Sequence, residues 1–168
     1  IGPPVNPITG RRHSLGFRGA TALFGHLGIE WDLSSATDED LAALAGVIAV
    51  YKRYRGLLHT GRLHRLDGDD PGAIATLVVG DGATEALLSV AQLTTPTWSV
   101  PGRLRLVGLD PDATYDLQVV PGVGDRPGIM RRAPAWLDGG LSASGADLMT
   151  VGELVQFVIY AVMVAGAV

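Results

Sequence analysis

Few side chains in this sequence have the type and spacing that chemistry requires. Glu30 and Asp32 stand two positions apart in the stretch GIEWDL. On a strand that spacing points both carboxylates to one face. There they could act as a proton-transfer pair at a strand end beside a substrate, or form a salt-bridged or solvated pair, which is the favoured reading. Arg11, Arg12 and His13 follow a Pro- and Gly-rich loop and lead into a helix start. That position can reach a ligand, although surface solvation is the commoner use of such residues. Asp67, Asp69 and Asp70 in DGDDPG look like the opening of a calcium loop, but the twelfth position counted from Asp67 is Val78, which cannot ligate. A turn is the better reading. His13, His26, His59 and His64 lack zinc-ligand spacing, and with no cysteine there is neither a thiolate metal site nor a disulfide. No phosphate loop and no nucleophile elbow is present. Trp98 and Trp136 lie in expected loops and are candidates for stacking on a sugar; loop tryptophans also plug the ends of sandwiches. Taken as residues alone, the chain shows no active site, no metal site and no cofactor site.

The elements that would position these groups are clearer. Ile1 to Gly10 holds three prolines and two glycines and reads as a loop. Ser14 can cap a helix in which Phe17, Ala20, Leu23, Phe24 and Leu27 recur at helical spacing, while Gly16 and Gly19 leave one face narrow enough for close packing. Gly25 to Gly28 breaks that helix, and Gly28 to Leu33 reads as a short strand. Thr37 then caps a long helix, with Asp40 able to complete a capping box. Asp38, Glu39 and Asp40 sit at its positive end and Lys52, Arg53 and Arg55 towards its negative end. Leu41, Leu44, Ile48, Tyr51 and Leu58 form its apolar stripe, with Tyr51 and Tyr54 read as core and rim rather than as a sugar platform. Helix, strand and helix in close succession indicate a piece of an α/β architecture, and three elements cannot close a parallel sheet.

From about Gly61 the period changes to two. Strands are predicted at Arg62 to Leu66, Ala73 to Val79, Thr84 to Leu93, Arg103 to Val107, Tyr115 to Val120, Leu141 to Leu148 and Val155 to Ala165, with a short one at Ile129 to Arg132. Asp81-Gly82 and Asp110-Pro111-Asp112 mark turns. The fold class is therefore mainly β with an N-terminal α/β segment: residues 1–58 as the helix-strand-helix unit and residues 59–168 as an antiparallel β-sandwich.

At 47% apolar and 18% charged residues, the 168-residue chain can build a sizeable core and is not disordered. A net charge of -4 with both signs interspersed argues against a nucleic-acid partner. The longest apolar run, Leu154 to Val168, is shorter than a membrane span needs, and its β-branched residues favour a buried strand. No charged-then-apolar leader is visible, and the expectation is a cytoplasmic protein without a membrane partner.

The wording of three stretches says more than their periodicity. IGPPVNPITGRRHSLGFRGATALFGHLGIEWDL, YKRYRGLLHTGRLHRLD and RLRLVGLDPDATYDL closely resemble the C-terminal third of bacterial α-galactosidases of glycoside hydrolase family 36, in the family's order and spacing. The likeness spans about Ile1 to Val120, and SGADLMTVG extends it faintly to about Gly152. This resemblance implies the end of a (β/α)8 catalytic barrel followed by a C-terminal β-sandwich. It makes Ile1 to Arg12 the loop after barrel strand seven, at the catalytic face, and Gly28 to Leu33 strand eight. Asn6, Arg11, Arg12 and His13 thereby become candidates for the substrate rim. The family hydrolyses terminal α-linked galactose with retention, using two carboxylates about 5–5.5 Å apart. Its K-W-D-x-N nucleophile motif and its S-D-N acid/base motif are both missing here, and Asp32 in EWDL has no Lys before its Trp. The resemblance therefore implies a chain with no catalytic residue of its own, structural in role, prone to self-association or homo-oligomerisation, and meeting galactosides only through a catalytic domain supplied elsewhere. The alternative is a stand-alone carbohydrate-binding module that uses Trp98, Trp136 or Tyr115 as a stacking platform.

Overall fold

The computed structural model describes residues 1–95, 103–125, 136–154 and 160–166. Trp98 and the strand expected at Ile129 to Arg132 lie outside the described residues.

Two helices open the structure. α1 spans Leu15–Leu23, and its Ser14 N-cap hydroxyl accepts the Phe17 amide at 3.0 Å. α2 spans Asp38–Thr60 with a complete capping box: Thr37 Oγ1 accepts the Asp40 amide at 3.1 Å, and Asp40 Oδ2 accepts the Thr37 amide at 3.4 Å. The buried line of α2 is Leu44, Val47 and Tyr54, while Leu41 is 38% exposed. The apolar stripe is thus rotated from the predicted one, because the helix turns Val47 towards Gly19 of α1. A Cβ on Gly19 would lie 2.9 Å from Val47 Cγ1, and one on Gly16 would lie 2.5 Å from the Gly124 carbonyl oxygen. Both glycines permit the close packing expected of them.

The β-region consists of β1 (Arg62–Leu66), β2 (Ala73–Val79), β3 (Glu85–Gln92), β4 (Arg103–Leu104), β5 (Thr114–Gly124), β6 (Leu141–Ser144), β7 (Glu153–Leu154) and β8 (Tyr160–Gly166), with short helices α3 (Trp136–Gly139) and α4 (Gly145–Thr150). Six strands form one sheet in the order β1-β2-β3-β8-β5-β6, and β4 pairs with β7. Each of these pairings is antiparallel. β8, within the apolar C-terminal run, is hydrogen-bonded on both sides, to β3 and β5. Its otherwise aggregation-prone edges are thereby occupied. Among the described residues no helix is long and apolar enough to cross a membrane.

The large sheet buries both faces. On one, Leu77, Val79, Leu88, Val90, Tyr115 and Leu117 pack with Leu104, Leu106, Leu109 and Leu148 beneath the small β4–β7 layer and α4. On the other, Leu87, Val120 and Val123 pack against Ala20, Leu23, Val47 and Tyr54 of the two helices. The alternation along each strand sends odd and even positions to different cores. The result is an uneven β-sandwich with helices behind its larger sheet.

Three expectations need correction. Gly28 to Leu33 is not a laddered strand; it bends at Trp31 and enters a 3-10 helix, Leu33–Ser35, capped by Asp32. A strand needs partners on its edges, and the described chain offers only Ile1. The strand predicted for Leu141 to Leu148 stops at Ser144, whose hydroxyl accepts the Asp147 amide at 3.0 Å and starts α4 instead. The strand expected at Arg103 to Val107 keeps only its first two residues, because the chain in register with the rest, Thr150 to Gly152, ends α4 with the Val151 and Gly152 amides donating to the Asp147 carbonyl.

Candidate functional site

The N-terminal loop is folded, not merely irregular. Val5 and Arg12 form an isolated antiparallel bridge. The Asn6 amide donates to the Arg11 carbonyl at 2.9 Å, Gly10 donates back to Asn6 at 2.9 Å, and His13 donates to Pro4 at 3.1 Å. Asn6 Oδ1 accepts both the Ile8 and the Thr9 amides at 2.9 Å, an Asx-type turn that shapes the tip.

The base of this hairpin meets the segment after α1. The Ile1 nitrogen donates to the Gly28 carbonyl, and the Glu30 amide donates to the Ile1 carbonyl at 3.0 Å. One residue bonding through both its groups to neighbours two apart is the parallel-pair pattern, with Ile1 beside Ile29. The two segments therefore run the same way, and the loop after Ile1 and the carboxylate of Glu30 emerge at the same, C-terminal, end.

At that end lies a cleft of about 410 Å³ lined by Gly2, Pro3, Asn6, His13, Arg18 and Glu30 among others. This is the size of a small-molecule site. His13 stacks on Phe17 with ring centroids 4.5 Å apart, which orients its imidazole along the cleft wall. Arg18 is half-buried, donates from Nε to the Ser14 carbonyl at 3.2 Å and from a terminal nitrogen to the Gly2 carbonyl, and lies over the Trp31 ring at 5.2 Å. Burial pushes its guanidinium pKa down, opposed by the field of Asp40. It stays cationic, since its ordinary value lies far above neutrality.

Of the predicted rim residues, the structure brings Asn6 and His13 into this cleft. Arg11 and Arg12 are exposed and are not among its lining residues. Glu30 and Asp32, expected to share a face, diverge: Glu30 lines the cleft, while Asp32 Oδ1 accepts the Ser34 hydroxyl at 2.7 Å and the Ser34 amide at 3.0 Å. Those bonds favour its ionised form and lower its pKa. Residue-level reasoning missed Arg18. The available signal was its placement four residues after the Ser14 cap, a charge within an otherwise uncharged helix.

The stacking candidates turn inward where they are described. Trp136 packs against the core with Nε1 buried. Tyr115 is 0% exposed; its hydroxyl accepts the Asp110 amide and donates to the Ala83 carbonyl, each at 2.8 Å. Tyr54 is buried and Tyr51 is on the rim of the core, its hydroxyl 2.9 Å from His59 Nε2. His59 in turn stacks on His26. Asp70 accepts the Gly72 amide and the Gln92 side-chain amide, both at 2.8 Å, and so serves the turn between β1 and β2. Among the described residues no three His, Cys, Asp or Glu side chains are grouped to hold a metal.

The chain is similar to known proteins over most of its length. The Melibiase family model matches residues 2–61, and that of the glycosyl hydrolase family 36 C-terminal domain matches residues 73–158. An α-galactosidase of Escherichia coli is 39% identical over 149 residues, covering 86% of this chain and 21% of its own length. The galactosidase domain of the α-galactosidase–sucrose kinase AgaSK superposes with a TM-score of 0.78 at 26% identity, over 99% of this chain and 21% of that one. A variant of the α-galactosidase AgaA from Geobacillus stearothermophilus, solved in complex with raffinose, shares the fold with a TM-score of 0.77 at 22% identity, again over 99% and 21%. The chain thus spans about a fifth of the length of these relatives.

Proposed function

The chain belongs to glycosyl hydrolase family 36, and from that premise we propose that it is the C-terminal part of an α-galactosidase, closing a (β/α)8 catalytic barrel and carrying the β-sandwich behind it. The enzyme as a whole hydrolyses terminal α-linked galactose with retention, through a carboxylate nucleophile and a carboxylic acid/base. This chain holds neither family motif and is inactive alone. Its contribution is one wall of the substrate site, from Asn6, His13, Arg18 and Glu30, and a sandwich that braces the barrel through the core shared by α1, α2, β3 and β5.

The observation that carries this reading is the parallel pairing of Ile1 with the segment from Gly28 to Glu30. In a barrel enzyme the catalytic groups gather at the C-terminal ends of parallel strands, and the cleft lies at that end. The exposed apolar side chains Ile29, Leu33 and Leu41 are surface that the remainder of a barrel, or a second copy of the chain, would cover.

The test is hydrolysis of a chromogenic α-galactoside by the chain alone and by the Escherichia coli α-galactosidase with its matched segment replaced by this chain. The chain should be silent and the chimera active. Hydrolysis by the chain alone, or a folded chimera without activity, overturns the reading.

A further inference from the structure

Arg18 touches all three segments around the cleft. It reaches the first residues of the loop through the Gly2 carbonyl, the start of α1 through the Ser14 carbonyl, and the segment carrying Glu30 through the Trp31 ring. These bonds use two different guanidinium nitrogens while the plane of the group rests on an aromatic face. An ammonium cannot reproduce that combination, because it lacks both the fork and the flat surface. The hairpin beyond Gly2 is held to itself by the Asn6, Arg11 and His13 bonds. It is therefore a folded unit, and Arg18 bonds to its base at the Gly2 carbonyl.

We propose that Arg18 is a positioning residue for galactoside binding: it fixes the hairpin of residues 2–13 in register with Glu30, and so sets the width of the cleft without touching a reacting atom. The inference rests on the α-galactosidase reading for its ligand, but the clamp itself does not. Since a wall held in place contributes equally to ground-state and transition-state binding, its loss raises KM and leaves kcat nearly unchanged.

The experiment has two arms, each with R18M and R18K. In the 168-residue chain, amide hydrogen exchange is followed at Gly10 and His13 in the hairpin and at Leu77 and Leu88 in the sheet. R18M should speed exchange in the hairpin about tenfold, the effect of losing roughly one net charge-assisted hydrogen bond. Exchange in the sheet should be unchanged, and R18K should restore only part of the protection. In the active chimera, R18M should raise KM for the chromogenic α-galactoside about tenfold with kcat within about threefold of wild type. Should R18M fail to fold, R18K decides both arms, with smaller shifts in the same directions. Unchanged hairpin exchange, or exchange rising evenly through hairpin and sheet, overturns the clamp. A fall in kcat at constant KM overturns the positioning role. A folded wild-type chimera that does not hydrolyse the substrate refutes the α-galactosidase reading instead, while the exchange arm still decides the clamp.

Discussion

Removing one oxygen atom from the core of the sandwich should be measurable across the whole molecule. Tyr115 is fully buried, and its hydroxyl joins the turn at Asp110, five residues upstream, to Ala83 in the β2–β3 connection. Tyr115→Phe keeps the ring and its packing against the leucines of β3 and the α4 layer, so no cavity forms. Two hydrogen bonds are lost, each worth about 0.5–1.5 kcal/mol net, for a total of about 1–3 kcal/mol. In a chain of this size that lowers Tm by about 4–8 °C at the midpoint of the range. Ala83 sharpens the test. It stands at φ 53°, in the left-handed region, where an L-residue with a Cβ is strained by about 1–2 kcal/mol. Ala83→Gly should relieve that strain and raise stability by up to about 1 kcal/mol after the entropic cost of glycine. In the Tyr115→Phe background the connection loses the bond at the Ala83 carbonyl and Ala83 can relax in part, so Ala83→Gly should gain less, giving a coupling of at least about 0.5 kcal/mol. Urea unfolding monitored by far-ultraviolet circular dichroism measures all four proteins, with unchanged m-values as the control. A Tyr115→Phe change below about 0.5 kcal/mol, or strictly additive single mutants, would refute the reasoning.

Two further predictions concern the helices. Gly16→Ala places a Cβ 2.5 Å from the Gly124 carbonyl oxygen, a backbone atom of β5. Despite the better helix propensity of alanine, it should destabilise the chain by about 1–3 kcal/mol, seen as a lower urea midpoint at constant m. Thr37→Ala removes the hydroxyl that accepts the Asp40 amide and should cost about 0.5–2 kcal/mol; the same substitution combined with Asp40→Ala should cost little more, since the two side chains form one capping box.

The helices were the most legible part of the chain, because their signals are local. Ser14 and Thr37 each lie within three residues of the amide they cap, and the structure realises both caps. The first two strands match their predicted bounds to the residue, since alternation and flanking turns delimit them tightly. Ser144 shows the limit of such reasoning. Apolar residues on both sides sustain an apparent strand there and mask its capping potential, yet its bond to the Asp147 amide starts a helix.

The family, the mainly β class and the absence of a nucleophile or metal motif are properties of residue order, so the sequence alone determined them. Only the tertiary structure decided which strands became neighbours. β8 inserts between β3 and β5, pairing Val162 with Leu88 across more than seventy residues, and no local pattern encodes that partner or its register. The same holds for the cleft. Asn6, His13, Arg18 and Glu30 come together because Ile1 pairs with the segment around Ile29 and Arg18 grips the Gly2 carbonyl. Asp32, two residues from Glu30, is instead taken by Ser34. Side chains at one spacing can serve a site or a turn: Asp32 caps a turn through exposed bonds to Ser34 two residues away, whereas Glu30 lines the cleft because its amide is held by the Ile1 carbonyl from a distant part of the chain.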